Sequence, residues 1–127
     1  MSHPSVLVVD DEVQVCLIVH RMLANDQYQV QTCHSVAEAV ATIDQKFFDL
    51  YVVDYKLPDG CGLDVAERIR SKGSEAPILL LSGYVASEVA LRAKKLGIFE
   101  IVEKPFSREM IVNAVKKAIG PPQAALA

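Results

Sequence analysis

Asp49-Leu50-Tyr51-Val52-Val53-Asp54 is the stretch on which the reading of this chain turns. Four apolar residues, one aromatic and two β-branched among them, run directly into a carboxylate. A run this short and this apolar fits a strand buried on both faces. The residues after it, Tyr55-Lys56-Leu57-Pro58-Asp59-Gly60-Cys61-Gly62, are rich in turn formers. Asp54 therefore stands where a buried strand stops and a loop begins. In an open parallel sheet that edge is where ligands bind.

Working outward, two more runs have the same character. Ser5-Val6-Leu7-Val8-Val9 ends at Asp10-Asp11-Glu12, and Ile78-Leu79-Leu80-Leu81 ends at Ser82-Gly83. Tyr28 to Thr32 alternates, and Ile98 to Val102 is interrupted by a charge, so both suit the edges of a sheet. Helical patterns fill the gaps. The first runs from about Glu12 to Asn25, with Val13, Cys16, Leu17 and His20 at helical spacing. Ser35 and Glu38 form a capping box that opens a second, to about Gln45. Gly62 to Lys72 is the third, with Leu63, Ala66 and Ile69 inward. Ser87 caps a fourth that stops at Gly97, and Ser107 caps a fifth that buries Ile111, Val115 and Ala118. Five strands alternating with five helices predict an α/β fold, a parallel sheet covered on both faces. With right-handed crossovers, three central and two edge strands select the order 2-1-3-4-5, a flavodoxin-like (βα)5 sandwich. The expected domain covers residues 1–120. Residues 121–127 read as either a frayed end or the stub of a linker.

The chain has 127 residues, 51% of them hydrophobic, enough for one domain with a real core. Its net charge of −3 argues against nucleic acid as a direct partner. No apolar run approaches a membrane span. Cys16, Cys33 and Cys61 are an odd number in no metal spacing, which fits reduced thiols in the cytoplasm.

Under this topology Asp10, Asp11, Asp54, Ser82 and Lys104 all fall at the carboxy-terminal ends of strands one, three, four and five. Three carboxylates that close repel one another unless a cation joins them. A hard divalent ion with oxygen ligands, Mg²⁺ above all with Mn²⁺ as a substitute, answers that need. The ion and the Lys104 ammonium can neutralise the oxygens of a transferring phosphoryl group, and the Ser82 hydroxyl can hydrogen-bond one of them. Asp54, as a carboxylate nucleophile, would then become an aspartyl phosphate.

Val8-Val9-Asp10-Asp11-Glu12, Val53 to Gly60, Leu80-Leu81-Ser82-Gly83 and Lys104-Pro105-Phe106 together resemble the four signature blocks of the response-regulator receiver domain. The resemblance spans roughly residues 5–119. It implies that Asp54 accepts phosphate from a histidine kinase or histidine phosphotransfer protein. It implies Mg²⁺ held by Asp10, Asp11, Asp54 and the backbone carbonyl of Lys56. It makes Ser82 the switch hydroxyl and Lys104 the phosphate-binding lysine, and it implies a cis bond before Pro105. The expected output is a change in the face built from the fourth helix, fifth strand and fifth helix. That face would bind a partner, an output domain or a second copy of the chain. The sequence departs from the family at Ile101, where an aromatic switch residue is usual, with Phe99 or Tyr84 as stand-ins. Lys56 and Tyr84 occupy positions that tune phosphoryl lifetime.

Taken singly, each residue has an ordinary reading. Asp10-Asp11-Glu12 is a favourable helix start, Asp54 a turn former, Ser82 a loop hydroxyl, and Lys104 a solvated lysine. Independent accidents would rarely set all five on one rim. Two other functions compete. A scaffold that acts without phosphate would keep the fold and lose the coupling at Ile101. A phosphatase working through an aspartyl phosphate needs an acid–base carboxylate two residues past the nucleophile, and that position is Lys56.

Overall fold

In the computed structural model, the described residues are 3–83 and 86–120. Tyr84 and the tail from residue 121 lie outside them. The strands are β1 (Ser5–Val9), β2 (Gln29–Cys33), β3 (Leu50–Asp54), β4 (Ile78–Ser82) and β5 (Glu100–Glu103). The helices are α1 (Val13–Asn25), α2 (Val36–Gln45), α3 (Gly62–Ser71), α4 (Ser87–Lys95) and α5 (Arg108–Ile119). A two-stranded antiparallel hairpin, Lys56–Leu57 with Gly60–Cys61, sits between β3 and α3.

The five strands form one parallel sheet in the order β2-β1-β3-β4-β5, the flavodoxin-like arrangement. The apolar runs explain the order. Val6 to Val9, Leu50 to Val53 and Ile78 to Leu81 have no exposed surface, so they need a helix layer on each side. One layer is α1 and α5, whose Cys16, Val19, Leu23, Ile111 and Val115 pack on Val8, Val52 and Leu79. The other layer is α2, α3 and α4. There Ala39, Ile43, Ala66 and Ile69 pack on Leu7, Val9, Tyr51 and Val53, and Leu63, Leu80 and Ala93 form a smaller cluster.

Two local expectations are corrected, and α1 adds a detail that its spacing left open. Of the residues whose spacing marks the helix, Val13 and Leu17 are exposed, and the buried set is Cys16, Val19, Met22 and Leu23. This helix is apolar over most of its circumference, so two stripes satisfied the 3.6-residue period and packing chose the other one. Ser87 is the first residue of α4 and not its cap; Ala86 holds that position without a side-chain hydrogen bond. The last strand starts at Glu100, two residues later than its apolar pattern suggests. The other two caps form. Ser35 Oγ accepts the Glu38 N–H at 3.1 Å, and Ser107 Oγ accepts the Met110 N–H at 3.2 Å. The Glu38 carboxylate reaches the His34 N–H at 2.6 Å, one residue before the cap.

α4 differs from its neighbours. Its only fully buried residue is Ala93. Polar contacts with α3 hold it. Arg92 forks onto Asp64 at 3.1 Å and Glu67 at 2.8 Å. Arg70 donates to the carbonyls of Leu96 and Gly97 at its far end.

Candidate functional site

Parallel pairing brings the carboxy-terminal ends of β1, β3, β4 and β5 to one rim. Val9 is level with Val53, Asp54 with Leu81, and Ser82 with Glu103. The residue after each strand is tied into the next: Asp10 N–H donates to the Cys33 carbonyl at 3.0 Å, and Lys104 N–H to the Ser82 carbonyl at 2.8 Å. Gly62 lets the chain turn back into α3 at this point. A Cβ there would collide with the Asp54 carbonyl oxygen and press on Leu80 and Val53 at 3.0 Å.

The side chains converge. Carboxylate oxygens of Asp10, Asp11 and Asp54 lie within 4.8 Å of one another. Lys104 Nζ is 2.8 Å from Asp54 Oδ1 and 3.9 Å from Asp10 Oδ2. Asp54, Tyr55, Lys56, Ser82, Gly83 and Lys104 line a cavity of about 550 Å³ open to this rim. Ser82 is buried in its wall. The Lys104–Pro105 peptide is cis. Ile101 is half-buried on β5, against the Leu63–Leu80–Ala93 cluster and away from the cavity lining.

Burial sets the electrostatics. Asp10 has no exposed surface; its Oδ1 accepts the Glu12 N–H at 2.9 Å, and its buried Oδ2 has no hydrogen-bond partner. Desolvation is the main cause that pushes the Asp10 carboxyl up to about 6, with the Asp54 charge adding to it and the Glu12 N–H opposing. Burial also raises Asp54, against the pull of its hydrogen bond and ion pair with Lys104. At Lys104 burial acts downward, but the hydrogen bond to Asp54 and the charges of Asp54, Asp10 and Glu12 outweigh it and hold the ammonium above its ordinary range. The neighbouring Cys16 thiol, buried and donating to the Asp10 carbonyl at 3.2 Å, is pushed up to about 11.

Three participants were not singled out by the sequence. Glu12 Oε1 approaches Lys104 Nζ to 3.8 Å. Asp59, read only as part of a turn, accepts the Val36 and Ala37 N–H groups at 2.8 and 2.9 Å and so ties the loop after Asp54 to α2. Tyr55 lines the cavity. Only Glu12 left a signal, a third acid in an acidic run.

A family model described as the response regulator receiver domain matches residues 6–116. The chain belongs to that family. Among curated relatives, this receiver domain is 32% identical over 124 residues to the photosynthetic apparatus regulatory protein RegA of Rhodobacter capsulatus, covering 95% of this chain and 67% of RegA. It is 29% identical over 120 residues to the response regulator protein PilR of Pseudomonas aeruginosa, but spans only 27% of PilR. Among solved structures, the non-phosphorylated HemR receiver domain of Leptospira biflexa superposes with a TM-score of 0.85 at 32% identity, over 91% of this chain and 94% of that one. Receiver domains are signalling modules, and no described helix here is long and apolar enough to cross a membrane.

Proposed function

We propose that this receiver domain is a phosphoacceptor switch in a cytoplasmic phosphorelay, taking a phosphoryl group onto Asp54 from the phosphohistidine of a histidine kinase or phosphotransfer protein. The observation that carries this is the 2.8 Å ion pair of Lys104 with Asp54, beside the Asp10 and Asp11 carboxylates. An Asp54 oxygen attacks phosphorus, the P–N bond breaks, and the imidazole leaves with its electron pair. The Lys104 ammonium stays beside the acquired charge. The Ser82 hydroxyl, in the wall of the same cavity, would donate to a phosphoryl oxygen.

The donor set fits a hard divalent cation. All contributors are oxygens, and the buried Asp10 Oδ2, with no hydrogen-bond donor and only the Lys104 ammonium at 3.9 Å, is an atom that Mg²⁺ or Mn²⁺ would satisfy. Asp10, Asp11, Asp54 and the Lys56 carbonyl would hold it. Bound there, the ion supplies positive charge to the transferring phosphoryl oxygens. The residues themselves keep Asp54 at the base of a walled cavity and fix the ammonium against it.

Ser82 ends β4 and Lys104 follows β5, so drawing both toward a phosphoryl group biases α4, β5 and α5. That face is the proposed site for an output domain, a partner or a second copy. Slow hydrolysis resets the switch without turnover of a separate substrate. Incubation with Mg²⁺ and acetyl phosphate, followed by intact mass, tests the reading. One adduct of phosphate mass is expected, and none in Asp54→Asn. An unmodified wild-type chain, or an adduct that survives the substitution, refutes it.

A further inference from the structure

Glu12 sits at the N-cap of α1, where a short polar side chain normally accepts an N–H of the first turn. Its carboxylate makes no such bond. Its Oε1 lies 3.8 Å from Lys104 Nζ, and the side chain is 64% exposed, at the open edge of the site. The carboxylate oxygens gathered around Asp54 are those of Asp10 and Asp11; Glu12 faces the lysine instead. Its charge is felt by Asp10, Asp54 and Lys104 alike.

We propose that Glu12 is a charge gate: held against Lys104 rather than capping α1, its carboxylate competes for the ammonium and opposes the entry of anionic phosphodonors to Asp54. This rests on Asp54 being the phosphoacceptor. In the reaction with acetyl phosphate, an Asp54 oxygen bonds to phosphorus as the P–O bond to the acetyl group breaks, and acetate departs with the electron pair. The phosphoryl oxygens must share Lys104 with whatever already neutralises it. Once phosphorylated, Asp54 no longer holds a free carboxylate against Lys104; Glu12 still does. Glu12 is thus a rate- and specificity-determining residue, and small anionic donors feel it without the compensating charges a protein donor can bring.

Initial rates of labelling by acetyl phosphate, at saturating Mg²⁺ so that ion affinity does not intervene, test this in wild type, Glu12→Gln and Glu12→Lys. At low ionic strength Glu12→Gln should label about 3- to 10-fold faster than wild type, as expected for one like charge removed near the surface of a pocket. Glu12→Lys should be faster still. The ratios should fall toward one as salt rises to about 0.5 M, because a carboxylate this exposed is screened. A purely structural role would shift the melting temperature and leave no salt dependence in the ratio. Equal rates in all three proteins, or a ratio indifferent to salt, overturns the proposal while leaving Asp54 as acceptor. Absence of labelling in wild type overturns the acceptor reading, and the gate with it.

Discussion

Val9 and Asp10 are consecutive, and neither has any exposed surface, yet burial acts on them with opposite sign. From Val6 to Val9 each side chain leaves water for an apolar layer on one face of the sheet or the other, a gain of about 1.5–3 kcal/mol apiece. One residue on, a carboxylate is buried equally deeply with one oxygen lacking a hydrogen bond and two further carboxylates nearby. The strand interior is where the fold is stabilised. The strand ends are where that stability is given up to hold a constellation of charges, with Asp10 and Asp54 themselves buried. The junction is abrupt because a strand has no room for a gradient: residues alternate faces until the sheet stops, and the first residue past it faces the site.

Leu7→Ala should show the stabilising side at its largest. Leu7 is fully buried in the cluster that includes Ile43, Tyr51 and Val53, and deletion leaves a cavity. A loss of about 2–5 kcal/mol is expected from urea unfolding at constant m-value. A loss below about 1 kcal/mol would mean that the interior is no better packed than the rim.

Asp10→Asn should act the other way. The folded Asp10 carboxyl titrates near 6 against an ordinary 3.8. A raised carboxyl favours the folded state below 3.8, and that advantage is lost as pH rises to 6. Above 6 the buried anion costs up to about 3 kcal/mol. In metal-free buffer the substitution should therefore leave stability almost unchanged at pH 4 and add about 1–3 kcal/mol at pH 7. Added Mg²⁺ should narrow the gap by binding the folded wild type. A gap that does not grow between pH 4 and 7 would show that Asp10 is not held at a cost.

The interior was legible in the sequence because burial on both faces forces apolar runs, and runs such as Leu50 to Val53 look like nothing else. The two edges were legible from their interruptions. The same logic located Asp10, Asp54 and Ser82, each the first polar residue after its apolar run; Asp11 and Lys104 each lie one polar residue further on, behind Asp10 and Glu103. Direction was harder to read. α1 is apolar nearly all round, so its buried face followed from packing against Val8 and Val52 and not from periodicity. The orientation of Glu12, the fork of Arg92 and the reach of Asp59 depend on partners far along the chain. Local spacing carries no record of them.

Asp59 sharpens the contrast within one residue type. It is an exposed carboxylate on the loop after Asp54, and it accepts two N–H groups from the first turn of α2, with Ser35 taking a third. Those hydrogen bonds, Ala37 first and Val36 next, hold its carboxyl below the ordinary 3.8. The sign is then the reverse of that at Asp10: the anion stabilises the fold above pH 3.8, and the contribution disappears as pH falls through the lower folded value. Asp59→Ala should melt slightly earlier than wild type at pH 7 and coincide with it near pH 3, with faster exchange of the Val36 and Ala37 amides at neutral pH. The effect should be the smallest of the three, since water and salt both reach the site. A melting difference that persists unchanged to pH 3 would assign Asp59 a packing role and remove the electrostatic tie between α2 and the loop that carries Asp54. The two aspartates would then no longer form an opposed pair, and the cost at Asp10 would stand as a peculiarity of one position instead of the consequence of burying a charge with a single hydrogen-bond donor.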